Sequence, residues 1–276
     1  MSSVIRSVIH PTDFSDLSGK AFAHALRIAL AAKSTLHLLH VAEREGGHDN
    51  VAFPHVQRIL AQWELMDGNA SPLALDQLGI RIVQTRLDHE DVVDGITGFI
   101  NQHPADLVVL ATHGRDGLEH WLKGSVAETV FRRAAIPTLF IAPGTRGFVS
   151  QVSGDISLRR VLVPVDHSPA PERAVEAARS LAQCLTGNEV TMLLLHVGKT
   201  APVLRSGSSD DAGGLPVLLR SGNIVKSIID AAVEFEIDMI GMPTAGRHGV
   251  LDALRGSTTE RVLRHAPCPL LAISVA

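Results

Sequence analysis

The sequence predicts an α/β protein of two tandem doubly wound domains, each built on a five-stranded parallel sheet. Three observations carry this. The chain repeats itself, its apolar runs are short and continuous, and those runs alternate with stretches of helical periodicity. The repeat is clearest in VIHPTDFSDLSGKAFAHALRIA near the start and VLVPVDHSPAPERAVEAARSLA from Val161, which share V-x-x-P-x-D-x-S. Asp13 aligns with Asp166, Val41 with Val197, and Gly124 with Gly256.

In the first copy the strands expected are Ser7–His10, Thr35–Val41, Ile80–Leu87, Leu107–Ala111 and Thr138–Ile141. Several are unbroken apolar runs, as strands buried on both faces of a parallel sheet require. Helices between them imply right-handed crossovers. Apolar spacing over Phe53–Leu65 adds an amphipathic helix that the second copy replaces with APVLRSGSSDDAGGL, a loop by composition. The expected organisation is a domain over 1–145, a weakly patterned Gly- and Ser-rich linker over 146–158, and a second domain over 159–276, shortened after its second strand.

Composition narrows the function. The 276 residues are 45% apolar and 20% charged, with a net charge of −4 spread along the chain. That suits two packed domains and gives no electrostatic reason for nucleic acid or an anionic membrane as partner. No apolar run approaches the roughly 18 residues of a membrane span. Cys184 and Cys268 form neither CxxC spacing nor a disulfide framework, so a cytoplasmic location is expected, with both thiols packing as small hydrophobes.

Ligands of doubly wound sheets bind beyond the carboxyl ends of the strands, where the strand order reverses. The loop after the fourth strand of copy one runs from Ala111 through Gly114 to Gly124-Ser125. Ser125-x-x-Glu128 forms a capping box that starts a helix there, whose free N–H groups favour an anion such as phosphate. Gly114 and Gly124 let backbone approach that anion. Copy two repeats the same nine-residue gap between Gly246 and Gly256-Ser257.

This pattern resembles the universal stress protein family, whose nucleotide-binding members carry G-x-x-G, nine residues, then G-[ST], after an early strand ending in P-T-D or P-V-D. The resemblance runs once through each half and implies the adenine nucleotide alpha hydrolase-like fold. It further implies a stress-responsive regulator that binds ATP or a related adenine nucleotide, with magnesium as an optional companion that Asp13 can touch. Around Pro11, Thr12 and Val41 would line the adenine pocket, Asp13 would accept from the ribose hydroxyls, and Gly114, Gly124, Ser125 and Val126 would hold phosphates, with Ala111 and His113 flanking them. The weaker second site would use Val165, Asp166, Val197, Gly246, Gly256, Ser257 and Thr258. Terminal strands would pair domain with domain, and a homodimer is compatible with the family.

Other readings stand beside this one. Asp13 can instead cap the following helix, a task Ser15 or Asp16 could equally perform. The first glycine of G-x-x-G is Ala111 in one copy and Pro243 in the other, and His113 becomes Ala245, so a non-nucleotide interaction scaffold is the alternative. A slow ATPase ranks third: no G-x-S-x-G elbow or Walker lysine is present, and no catalytic residue is assigned. Fourteen histidines show no zinc spacing, so no metal site is assigned. His10 and His40 end adjacent strands and read as satisfied polar positions, while His89, His103 and His120 read as surface residues. Trp63 and Trp121 read as core or interface aromatics.

Overall fold

The computed structural model describes residues 5–43, 52–67, 73–112, 126–168, 171–202, 204, 216–244 and 258–274. The chain forms two compact units. One runs to Pro143 and takes in Val149–Ser157; the other comprises Gly144–Phe148 and the chain from Leu158 onward.

The first unit contains β1 (Ser7–Pro11), α1 (Asp16–Ala32), β2 (Thr35–Glu43), α2 (Val56–Gln62), α3 (Leu73–Gln77), β3 (Arg81–His89), α4 (Val92–Gln102), β4 (Leu107–Ala111), α5 (Val126–Ala134) and β5 (Thr138–Ile141). Its strands are parallel in the order β3-β2-β1-β4-β5. Every expected strand is present, with β2 and β3 each running two residues further than the apolar pattern indicates. β1, β4 and β5 are the most deeply buried strands, and their apolar runs follow from it. β3 lies at one end of the order and alternates partly exposed residues with exposed ones.

The second unit repeats the order as β8-β7-β6-β9-β10, again parallel. Its strands are β6 (Arg160–Pro164), β7 (Thr191–Val197), β8 (Val217–Arg220), β9 (Met239–Thr244) and β10 (Leu270–Ser274). Its helices are α6 (Glu172–Thr186), α7 (Ile224–Glu234) and α8 (Thr258–Leu263). In both units the first strand is the switch point, flanked by the second strand on one side and the fourth on the other.

Matching carboxylates seat those central strands. Asp106, just before β4, accepts from the N–H groups of Arg6 (2.7 Å) and Ser7 (3.1 Å) at the start of β1. Asp238, just before β9, accepts from Arg159 (2.8 Å) and Arg160 (3.0 Å) at the start of β6, and Arg146 Nη2 donates to its other oxygen at 2.8 Å. Each carboxylate satisfies main-chain donors that would otherwise lack a partner where the strand begins.

The amphipathic helix expected over Phe53–Leu65 is the shorter α2. Pro54 delays its start, and Glu64 at φ 58° turns the chain out of it. Trp63 closes the helix from a buried position, with its Nε1–H donated to the Gln151 carbonyl at 3.1 Å. The segment read as a weakly patterned linker is therefore packed. Val149 and Ile156 form an antiparallel bridge, Ser150 N–H donates to the Asp155 carbonyl (2.9 Å), and Phe148, Val149 and Leu158 are buried. Among the described residues, no helix is long and apolar enough to cross a membrane.

Gly154 sits at φ +71° with the Trp63 indole against it: a Cβ there would stand 2.4 Å from Trp63 Cδ2. Gly154→Ala combines an unfavourable φ with overpacking and is expected to destabilise the first unit by about 2–4 kcal/mol. Urea unfolding followed by tryptophan fluorescence measures this, since Trp63 and Trp121 both fall in the first half of the sequence. Unchanged stability would contradict the packing of Trp63 on this turn.

Candidate functional site

The candidate site in the first unit grows from the end of β1. Pro11 closes the strand, and Thr12 N–H still bonds the Leu39 carbonyl of β2 at 2.8 Å. The Thr12 carbonyl then accepts Nδ1–H of His40 at 2.8 Å, and that bond fixes where the loop turns away from the sheet. Thr12 Oγ1 pairs with Ser18 Oγ at 2.8 Å and accepts Phe14 N–H at 3.1 Å. Phe14 adopts φ 62°, unusual for an aromatic residue, and its ring lies 4.5 Å from that of His40 and 5.4 Å from that of Phe53. The Arg86 guanidinium stands 6.0 Å from both phenyl centroids.

The geometry also separates two tasks that the sequence leaves open. Ser15 caps α1, its side chain accepting Ser18 N–H at 3.2 Å. Asp13 instead braces the turn, with Oδ1 accepting Ser15 N–H (3.0 Å) and Ser15 Oγ–H (2.7 Å). Its carboxylate thus stands at the switch point ahead of the helix rather than on its first turn.

Val41 follows His40 and packs against α4, where a Cβ on Gly95 would come within 2.8 Å of Val41 Cγ1. Ala111 ends β4 opposite Ile141, and Thr112 N–H continues the ladder to the Ile141 carbonyl at 3.0 Å. Helix α5 starts at Val126, which is 39% exposed. His113, Gly114, Gly124 and Ser125 lie outside the described residues, as do His120 and Trp121. The described part of the site is therefore Pro11, Thr12, Asp13, Val41, Ala111 and Val126.

His10 and His40 do not converge. The buried His10 donates Nδ1–H to the Val109 carbonyl of β4 at 2.9 Å and turns Nε2 toward Ser18 Oγ at 3.5 Å. It ties β1 to β4 while His40 ties the loop to β2. Cys268 is buried, which pushes its thiol pKa up to about 12, and burial also raises that of Cys184; both are poor nucleophiles.

The second unit keeps the same frame. Val165 N–H bonds the Leu195 carbonyl at 2.8 Å, and His196 Nδ1–H donates to the Val165 carbonyl at 3.0 Å. The loop beyond differs. Asp166 Oδ1 accepts His167 N–H at 2.7 Å, and the Asp166 side chain is 62% exposed. Val197 ends β7 and Thr258 begins α8, whereas Gly246, Gly256 and Ser257 lie outside the described residues. Pro243 occupies β9 opposite Ile273, where it offers no N–H. Sequence reasoning left the anchoring role of His196 unread, although its place in LLLHV matches that of His40 in HLLHV.

Comparison with known proteins gives consistent results. The Universal stress protein family matches the chain over residues 5–142 and 208–274. A universal stress protein from Methanocaldococcus jannaschii is 25% identical over 162 residues, covering 50% of this chain and 83% of that protein. The crystal structure of a universal stress protein from Archaeoglobus fulgidus superposes with a TM-score of 0.64 at 20% identity, covering 98% of each chain, which shows the shared fold. A universal stress protein solved in complex with cAMP covers 50% of this chain and 98% of its own at 24% identity and a TM-score of 0.34.

Two buried histidines of the first unit make its stability depend on pH. His24 donates Nδ1–H to the Lys20 carbonyl (2.8 Å) while its Nε2 accepts Val149 N–H (3.3 Å), a pattern only the neutral ring can form. Burial lowers the pKa of His10 and of His24 from 6.5 to about 4. Between those values the unfolded chain takes up protons that the folded chain refuses, so stability falls as pH drops from 6.5 toward 4 and levels off below. The expected loss between pH 7 and pH 5 is about 2 kcal/mol per histidine. Urea unfolding followed by tryptophan fluorescence at both pH values should give that slope, reduced by about half in His24→Asn. A flat profile would refute neutral buried rings.

Proposed function

The chain belongs to the universal stress protein family, and on that footing we propose that its first half binds ATP or a related adenine nucleotide and that the protein acts as a stress-responsive cytoplasmic regulator. The observation that carries the reading is the hydrogen bond from His40 to the Thr12 carbonyl, which sets the Asp13 carboxylate at the switch point of the sheet. A carboxylate only accepts hydrogen bonds and a ribose diol donates them. Helix α5, starting at Val126, supplies main-chain N–H groups and a positive dipole end suited to phosphate.

The role follows from linkage. A nucleotide that binds only the folded unit stabilises it and shifts which conformations the chain populates. Slow hydrolysis ranks below binding, because among the described residues none besides Asp13 is assigned to a magnesium ion and none to positioning an attacking water. The free thiols of Cys184 and Cys268 suit a reducing compartment. The scaffold reading is favoured for the second half, where Pro243 removes an N–H donor at the position of Ala111.

Isothermal titration of the full chain with ATP, ADP, AMP and cAMP tests this. One nucleotide per chain is expected. Asp13→Ala and Gly124→Val should each weaken binding by at least about tenfold while the melting temperature without nucleotide stays within a few degrees. His40→Phe keeps a ring against Phe14 but removes the N–H to Thr12, and should cost about tenfold. No heat and no thermal shift with any of the four at millimolar concentration would overturn the proposal.

A further inference from the structure

The turn that carries Asp13 rests on an unfavourable backbone. Phe14 has φ 62°, in the left-handed region, which costs a residue with a Cβ about tenfold in population. In that conformation Asp13 Oδ1 accepts both Ser15 N–H (3.0 Å) and Ser15 Oγ–H (2.7 Å). The Phe14 ring meets partners distant in the chain: His40 at 4.5 Å, Phe53 at 5.4 Å, and the Arg86 guanidinium 6.0 Å from the phenyl centroids of Phe14 and Phe53 alike. We propose that Phe53 and Arg86 are positioning residues for the Asp13 carboxylate, acting through the Phe14 ring.

Each partner comes from a different element. Phe53 lies in the segment that leads into α2, and its ring meets Phe14 edge to face at 74°, an arrangement aromatic pairs prefer. Arg86 is in register with His40 across β2 and β3, so both side chains leave the same face of the sheet, and a guanidinium over a phenyl ring is attracted by it.

The second unit shows the same turn without these partners. His167 stands where Phe14 does, the stretch APVLRSGSSDDAGGL that replaces the α2 region has no aromatic residue, and Leu219 is in register with His196 where Arg86 is with His40. The next residue, Arg220, leaves the opposite face and donates to Glu234 of α7 at 2.5 Å. His167 does not enter the left-handed region, and Asp166 accepts its N–H at 2.7 Å from an exposed position. A serine follows two residues after the aspartate in both copies, Ser15 and Ser168. The Asp-x-Ser sequence is therefore common to both, and the braced carboxylate accompanies Phe14, Phe53 and Arg86 as a set.

The functional consequence rests on the nucleotide reading, since a carboxylate already held in place loses less freedom on meeting a ribose diol. The positioning itself does not. Amide hydrogen exchange, followed by NMR on the full chain without nucleotide, tests it. Phe53→Ala should lower the protection of the Ser15 amide about tenfold, and Arg86→Leu, which installs the second unit's residue, about two- to fivefold. The amide of Val108, bonded to the Pro137 carbonyl, should be unchanged. Phe53→Tyr keeps the ring and should retain protection. In a Phe14→Gly chain, where the left-handed region needs no support, Phe53→Ala should add no further loss. ATP titration reads the consequence: Phe53→Ala should weaken binding about tenfold and Phe53→Tyr should not. No binding by the unsubstituted chain would remove the nucleotide reading and leave amide exchange to decide the positioning. An unprotected Ser15 amide in the unsubstituted chain, protection unchanged in Phe53→Ala, an equal loss in the Phe14→Gly background, or ATP affinity that Phe53→Ala leaves intact would overturn the proposal.

Discussion

A loop that leaves the central strand of a parallel sheet carries a carbonyl that has run past its ladder partner. In both units that carbonyl receives the Nδ1–H of a histidine at the end of the neighbouring strand, His40 to Thr12 and His196 to Val165. A buried main-chain oxygen left unpaired would cost about 1–3 kcal/mol, so the bond holds the loop in one exit direction. The next residue is the aspartate, and its carboxylate is aimed by that constraint. The carboxylates of Asp106 and Asp238 hold the opposite end of the same strand, fixing the register from which the loop departs.

From this shared frame the two units diverge by small changes. In the first, Asp13 braces a turn through Ser15, and Phe14 covers His40 and meets Phe53, giving an apolar floor beside a carboxylate. In the second, an imidazole replaces the phenyl ring, glycine replaces Ala42, and proline enters β9. The backbone path near the strand end is retained while the side chains presented there change class. One fold thus presents two different sets of side chains at the strand end, because the sheet is satisfied by main-chain bonds that do not depend on which side chain follows the aspartate.

The packing of the segment between the repeats follows the same logic of satisfied main chain. Residues that read as a polar, glycine-containing connection return Val149 N–H to His24 and the Gln151 carbonyl to Trp63. Neither partner lies near in sequence. His24 in turn sits on the buried face of α1, where a charged ring would have no water, so an apparently generic connection bears on the protonation of the core.

The sequence by itself determined the layer architecture, the strand set of the first half and the two-fold repetition, because buried parallel strands must be continuous apolar runs and alternating helices allow few topologies. It also marked Pro11-Thr12-Asp13 and Pro164-Val165-Asp166 as strand-end loops. The tertiary structure decided that Ser15 rather than Asp13 caps α1, that Asp106 and Asp238 seat the central strands, and that Gly154 lies under Trp63. It also decided that His167 lies beside His196 rather than facing solvent alone. These assignments depend on contacts between residues distant in the chain, which local periodicity and spacing cannot encode; they appear only once the strands are set side by side.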